Sequence, residues 1–383
     1  MKILGFSSIR SDYDLMSGLY KKLNEDEFCD FRLIVSGANL SDSYGSNISN
    51  IVQDGIPILA RIVSLVDSDI PIGRLKTMNI LMSSLIDQIY NYKPDLMIFA
   101  GDREDALVYA IVAGYLKIPT IHFFGGDHAC DGNIDNPVRH AISKLCTYHF
   151  VSHNSHKQRL IKVGESAHRI FNIGSIALDR FKSQKYFTKD QLLKRFNLDN
   201  TFSKYALLVF HPILQHSEIS WKDFQNIIIG LQKFNIKTFV GYPNTDPGNH
   251  QIIKMINILP KTDFFVYKNL DDRTFSSILM NSEFVIGNSS LGILEAASFM
   301  KPVINVGLRQ KGRIADRNVI FCESDEQSIF NSIEKAISKD FLSTLKSLQN
   351  SYGDGNSIPR CIELMKTLKY EADLFKREDP LFL

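Results

Sequence analysis

The chain has almost no excess of charge: 44 Lys and Arg stand against 42 Asp and Glu, a formal net charge of +2. No block of Lys or Arg runs together either, which argues against a nucleic-acid or anionic-membrane surface and leaves room only for local anion sites. Long apolar runs are missing as well. None approaches the roughly 18 residues of a membrane helix, and Met1-Lys2-Ile3-Leu4-Gly5-Phe6 reads as a strand rather than a leader. Cysteine is scarce: five, an odd number, scattered and without CxxC spacing. That excludes a disulfide framework and a zinc site and fits a reducing cytoplasm. No internal repeat or low-complexity tract is present, so a soluble cytoplasmic protein with no metal is expected.

What is present is ordinary globular sequence in two portions. At 383 residues, with 44% hydrophobic and 22% charged residues, the chain can bury two cores. Apolar runs at Ile3–Phe6, Phe31–Val35, Leu96–Ala100, Thr120–Phe124, Tyr148–Ser152 and Ile170–Ile173 read as strands. Between them Leu75, Met78, Met82, Leu85 and Ile89 form a helical stripe, more often core than ligand site. After a Lys-rich stretch near Lys182–Lys194 a second series runs through Tyr205–Phe210, Thr238–Tyr242, Phe264–Tyr267, Phe284–Gly287 and Pro302–Val306. Two doubly wound α/β domains are expected, 1–180 and 181–365. The tail is helix-like from Pro359 to Arg377, and 366–383 is expected to rejoin the first domain.

Two acidic loops carry the first chemical signal. Ala100-Gly101-Asp102-Arg103 and Phe124-Gly125-Gly126-Asp127 each follow a strand, and Ile134-Asp135-Asn136-Pro137-Val138-Arg139-His140 comes soon after. Ligands of open parallel sheets sit beyond the carboxyl ends of the strands, so Asp102, Asp127 and Asp135 are expected to converge for proton chemistry. Helix capping is the competing reading of each acid.

The second signal lies in Ile286-Gly287-Asn288-Ser289-Ser290-Leu291-Gly292-Ile293-Leu294-Glu295. A strand feeding a Gly/Ser turn and a helix start is suited to phosphate, with Glu295 placed for ribose hydroxyls. Ser capping with Glu295 completing the arrangement is the alternative. Gly307-Leu308-Arg309-Gln310-Lys311-Gly312-Arg313 sets three cations close together, as a solvated loop or a diphosphate clamp. His211 follows a strand and is expected at the same edge, although a lone His is more often structural.

Together these motifs resemble the hydrolysing UDP-N-acetylglucosamine 2-epimerases of bacterial sialic-acid type. The matching segments run over roughly residues 1–370: Ser8-Ile9-Arg10-Ser11-Asp12-Tyr13, Ser36-Gly37, Gly101-Asp102-Arg103, Gly125-Gly126-Asp127, Asp135 with Arg139-His140-Ala141-Ile142-Ser143-Lys144-Leu145, Asn172-Ile173-Gly174-Ser175, His211-Pro212, Tyr242-Pro243-Asn244, Gly287-Asn288-Ser289-Ser290 and Arg309–Arg313. The resemblance implies a glycosyltransferase-B-like pair of Rossmann domains with the active site in an interdomain cleft. It implies elimination of UDP to a 2-acetamidoglucal, then hydration to N-acetylmannosamine for sialic or nonulosonic acid synthesis, without a cofactor. Asp102, Asp127, Asp135 and His211 would be catalytic. Arg10, Arg103, Arg139, His140, Asn244, Asn288, Ser289, Ser290, Glu295, Arg309, Gln310 and Arg313 would hold the UDP-sugar. A homodimer or tetramer is expected by the same resemblance.

Three departures concern the sugar more than the nucleotide. Asp127 stands where most members have Glu and its loop to Asp135 is slightly longer, Asn39 replaces a frequent His, and Asp14 replaces a Gly. The rival readings are a hydrolysing epimerase acting on UDP-2,4-diacetamido-2,4,6-trideoxyglucose, a glycosyltransferase of the same architecture, and a non-catalytic nucleotide-sugar sensor. The last two would not need the three acids together.

Overall fold

The computed structural model describes every residue except Gly45, Asp69, Asp131, 214–217, Thr245 and Leu383, and the side chains of Ser183 and Phe382. Two compact units result: Met1–Asp127 with Ile134–Lys182 and Tyr352–Leu383, and His128–Asn133 with Ser183–Ser351. The tail thus returns to the first unit from Tyr352, earlier than residue 366. Its helix is shorter than expected, spanning Ser357–Thr367.

The first unit holds seven strands: β1 (Lys2–Ser7), β2 (Asp30–Ser36), β3 (Ile58–Ile62), β4 (Leu96–Ala100), β5 (Thr120–Phe123), β6 (Tyr148–Val151) and β7 (Ile170–Asn172). They lie all parallel in the order β3-β2-β1-β4-β5-β6-β7. Successive side chains point to opposite faces, so each apolar run feeds two cores. Ile3, Leu96 and Ile98 meet one core with Tyr13, Met16 and Leu19 of the helix Arg10–Glu25. Leu4, Met97 and Phe99 meet the other. The helix Pro71–Tyr92 supplies that second core through Leu81, Leu85 and Ile89, while Met78 and Met82 are half-buried against it. Leu75, expected in the same stripe, is 64% exposed. The buried line runs instead through Gly73, Thr77, Leu81, Leu85 and Ile89, at steps of four.

The second unit repeats the plan with β8 (Tyr205–Val209), β9 (Lys237–Gly241), β10 (Phe264–Tyr267), β11 (Phe284–Gly287), β12 (Val303–Val306) and β13 (Val319–Cys322). Its order is β10-β9-β8-β11-β12-β13. Strand order reverses between β1 and β4 in one sheet and between β8 and β11 in the other. At such a point neighbouring connections leave to opposite faces and open a crevice at the carboxyl ends, where ligands bind.

Candidate functional site

In the first unit the loops that leave β4 and β5 carry Asp102 and Asp127. Gly101 (φ +102) and Gly126 (φ +76) turn the chain sharply in the left-handed region; a Cβ on Gly126 would come within 2.4 Å of the His156 carbonyl. Buried His122, on β5, supports the Asp102 loop. Its Nε2–H donates to the Gly101 carbonyl at 2.8 Å, and its Nδ1 lies 3.1 Å from Ser143 Oγ. Burial pushes this imidazole down to about 3, so it stays neutral and its tautomer is set by the carbonyl.

Arg139, on the helix Asp135–Leu145, joins two of the three expected acids. Its Nη2 pairs with the Asp102 carboxylate, and its Nη1 donates to the Asp127 carbonyl at 2.8 Å. The Asp102 side chain keeps 29% of its surface in solvent. Asp127 is only 4% exposed; its carboxylate lies 3.4 Å from Nε2 of buried His156. Asp135 is the first residue of the Arg139 helix, and its carboxylate lies 3.3 Å from Arg74 Nη2. Half-buried His140 follows on the same helix.

Arg103 precedes the helix Glu104–Leu116, whose first turn carries buried Glu104 and Asp105. Acids in a first turn are favoured by the helix dipole. Arg103 Nη2 stands 3.7 Å from Glu104, and its charge also acts on Asp12 and Asp105. Asp12 accepts from Ser7 Oγ at 2.6 Å and from the Ser8 and Ile9 N–H groups at 2.9 and 3.1 Å. Burial outweighs those bonds and pushes its carboxyl up to about 6. Asp105 is raised too, by burial first and by Glu104 second. Arg10 opens the helix Arg10–Glu25 and pairs with Asp14 at 3.2 Å.

In the second unit Asn288, just past β11, ties the switch point together. Its Oδ1 accepts from the His211 N–H at 2.8 Å, and its Nδ2 donates to the His211 carbonyl at 2.9 Å. The Asn244 N–H donates to His211 Nδ1 at 3.1 Å, which leaves Nε2 to carry the proton of the neutral ring. Arg309 Nη1 and Gln310 Nε2 both donate to the Asn288 carbonyl, at 3.1 and 2.9 Å, and Arg313 Nη1 donates to Gln310 Oε1 at 2.7 Å. Ser289 caps the short helix Ser290–Leu294 through Leu291 N–H at 3.4 Å, and Glu295 follows, buried. Thus His211, Asn244, Asn288, Arg309, Gln310 and Arg313 share one bonded network beside Ser289 and Ser290.

Arg74, Glu104, Asp105, His122 and His156 were not anticipated. The adjacent pair Glu104-Asp105 at a helix start was a usable signal, as was a His interrupting the apolar run of β5. Arg74 carried none, standing 61 residues from Asp135.

A family profile for UDP-N-acetylglucosamine 2-epimerase matches residues 21–366. The chain is 34% identical over 378 residues to a hydrolyzing UDP-N,N'-diacetylbacillosamine 2-epimerase of Legionella pneumophila, covering 98% of both chains. It is 31% identical to a hydrolyzing GDP/UDP-N,N'-diacetylbacillosamine 2-epimerase of Campylobacter jejuni, over 89% of this chain and 88% of that one. Its fold matches the crystal structure of the UDP-GlcNAc 2-epimerase from Neisseria meningitidis bound to UDP-GlcNAc with a TM-score of 0.82 at 18% identity, covering 96% and 100% of the two chains. The chain therefore belongs to the UDP-N-acetylglucosamine 2-epimerase family.

Proposed function

We propose that the protein is a hydrolysing nucleotide-sugar 2-epimerase whose substrate is a UDP-2,4-diacetamido-2,4,6-trideoxyglucose, releasing UDP and the corresponding free 2-epimeric diacetamido sugar. The observation that carries this reading is the end-to-end similarity to the Legionella enzyme named for such a substrate, at 34% identity over 98% of both chains. It replaces N-acetylglucosamine as the first choice of sugar. UDP-N-acetylglucosamine remains the second reading, supported by a Neisseria relative of that name, 26% identical over 88% of each chain.

In the proposed reaction a carboxylate of the Asp102, Asp127 and Asp135 set removes the C2 proton as the C1–oxygen bond breaks. The electron pair of the C–H bond becomes the C1–C2 double bond, and UDP leaves with the bonding pair. The C2 hydrogen is a weak acid, so its loss must be coupled to departure of the leaving group by a base and an acid held close to the sugar. Water then supplies hydroxyl to C1, and a proton returns to C2 from the opposite face. Ser289, Ser290, Arg309 and Arg313 would hold the diphosphate, Glu295 the ribose, and the Nε2–H of His211 would meet the leaving oxygen. Incubation with each UDP-sugar in turn, with products resolved by NMR, tests the reading. Release of UDP and epimerised sugar from the diacetamido substrate is expected; turnover of UDP-N-acetylglucosamine alone would reverse the order of the two sugars, and turnover of neither would remove the function.

A further inference from the structure

We propose that Arg74, clamped by Glu104, is a positioning residue that holds the Asp135 carboxylate in place for proton transfer. The inference rests on the proposed reaction for its kinetic consequence, though not for its geometry. Arg74 lies in the first turn of the helix Pro71–Tyr92. Its Nε donates to Glu104 Oε1 at 2.9 Å, its Nη2 pairs with Glu104 Oε2, and the same Nη2 reaches Asp135 Oδ1 at 3.3 Å. A two-pronged contact fixes the plane of a guanidinium, which a single ammonium contact cannot do. The remaining reach to Asp135 is therefore directional.

The three side chains come from three helices and are mostly enclosed, with 20%, 10% and 21% of their surfaces exposed. Partial burial limits screening and makes the contact stronger than a surface pair. Burial alone would weaken the charge on Arg74, yet Glu104 and Asp135 hold the guanidinium above its ordinary pKa. Other charged groups act on this cluster from the start of the Glu104 helix: Arg103, just before it, on Arg74 and Glu104, and Asp105, within it, beside Glu104 and Arg74. Among the described residues the arrangement is paired: Arg139 joins Asp102 and Arg74 joins Asp135, so two of the expected acids each have their own guanidinium.

A nearby cation favours the ionised carboxylate, so removing it raises the pH at which Asp135 loses its proton. Arg74→Met is expected to lower kcat about 100-fold with KM little changed, and to move the acid limb of the kcat profile up by about one pH unit. Arg74→Lys keeps the charge without the fork and is expected to leave the acid limb near its wild-type place while recovering only part of kcat. Glu104→Gln should resemble Arg74→Met in kcat and move the limb less. The pH titration of the Asp135 carboxyl carbon, followed by 13C NMR in wild type and Arg74→Met, reads the same contact without turnover, the variant titrating at higher pH. Equal titration in wild type and a folded Arg74→Met variant, or unchanged kcat and acid limb in that variant, would overturn the proposal. Failure of the wild type on both UDP-sugars would overturn the reaction alone, since the NMR comparison would still decide the contact.

Discussion

At the scale of single residues the first unit is organised by guanidinium groups as much as by acids. Asp102 faces Arg139 and remains partly exposed, whereas Asp127 is buried beside His156. Three acids that look alike in sequence therefore occupy three environments. In the proposed reaction such differences would divide proton removal from proton delivery. Asp102→Asn removes the charge and keeps the shape. We expect kcat to fall between about 10²- and 10⁴-fold, the usual share of one acid or base, while UDP affinity measured by calorimetry is retained, because the bonded network proposed for the diphosphate lies in the other unit. Loss of UDP binding in a folded variant would assign Asp102 a structural role.

At the scale of elements the end of β11 is a tightly constrained point of the second unit. Gly287 has φ +132, and a Cβ there would lie 2.1 Å from the Val209 carbonyl oxygen on β8. The close approach of β8 and β11 lets Asn288 bond both backbone groups of His211. Gly287→Ala is expected to cost at least roughly 1–3 kcal/mol from backbone strain, with the overlap adding to it, and to weaken UDP binding by displacing Asn288. Denaturant midpoint and UDP calorimetry check the two effects separately. The acidic loops of the first unit depend on a device of a different kind: short loops anchored by buried groups, such as the bond from His122 to the Gly101 carbonyl.

At the scale of the whole molecule the returning tail completes the first unit. Arg169 is 2% exposed, and its guanidinium donates to the Glu378 carboxylate at 2.9 Å and to the carbonyl oxygens of Asp373 at 2.6 Å and Thr147 at 3.3 Å. Lys376 reaches fully buried Glu165, and Tyr148 reaches Asp373. Truncation after Leu368 would strand a buried arginine, at a cost of about 3–5 kcal/mol, seen as a lower denaturant midpoint. An unchanged midpoint would mean that β6 and β7 stand without the tail. The same scale explains what could be read in advance. Eleven strands announced themselves as apolar runs, most of them because both their faces are covered, and the edge strands β7 and β10 among them despite partly exposed patterns. β3 and β13 went unread; both are short edge strands with half-exposed patterns, and β13 is only four residues long. The Leu75 stripe misled for a related reason, since an apolar residue can lie on the exposed side of a helix whose buried line is set by its neighbours.

The sequence by itself determined the two parallel α/β sheets, the positions of Asp102, Asp127 and Asp135 after or near strand ends, and the helix start at Ser289. Each of these depends on residues adjacent in the chain, where periodicity and turn chemistry act locally. Tertiary structure decided which cation meets which acid. Placing β1 beside β4 and packing three helices together joins Arg74, Glu104 and Asp135 across as many as 61 residues. Such pairing follows from strand order and helix packing, which leave no local pattern to read.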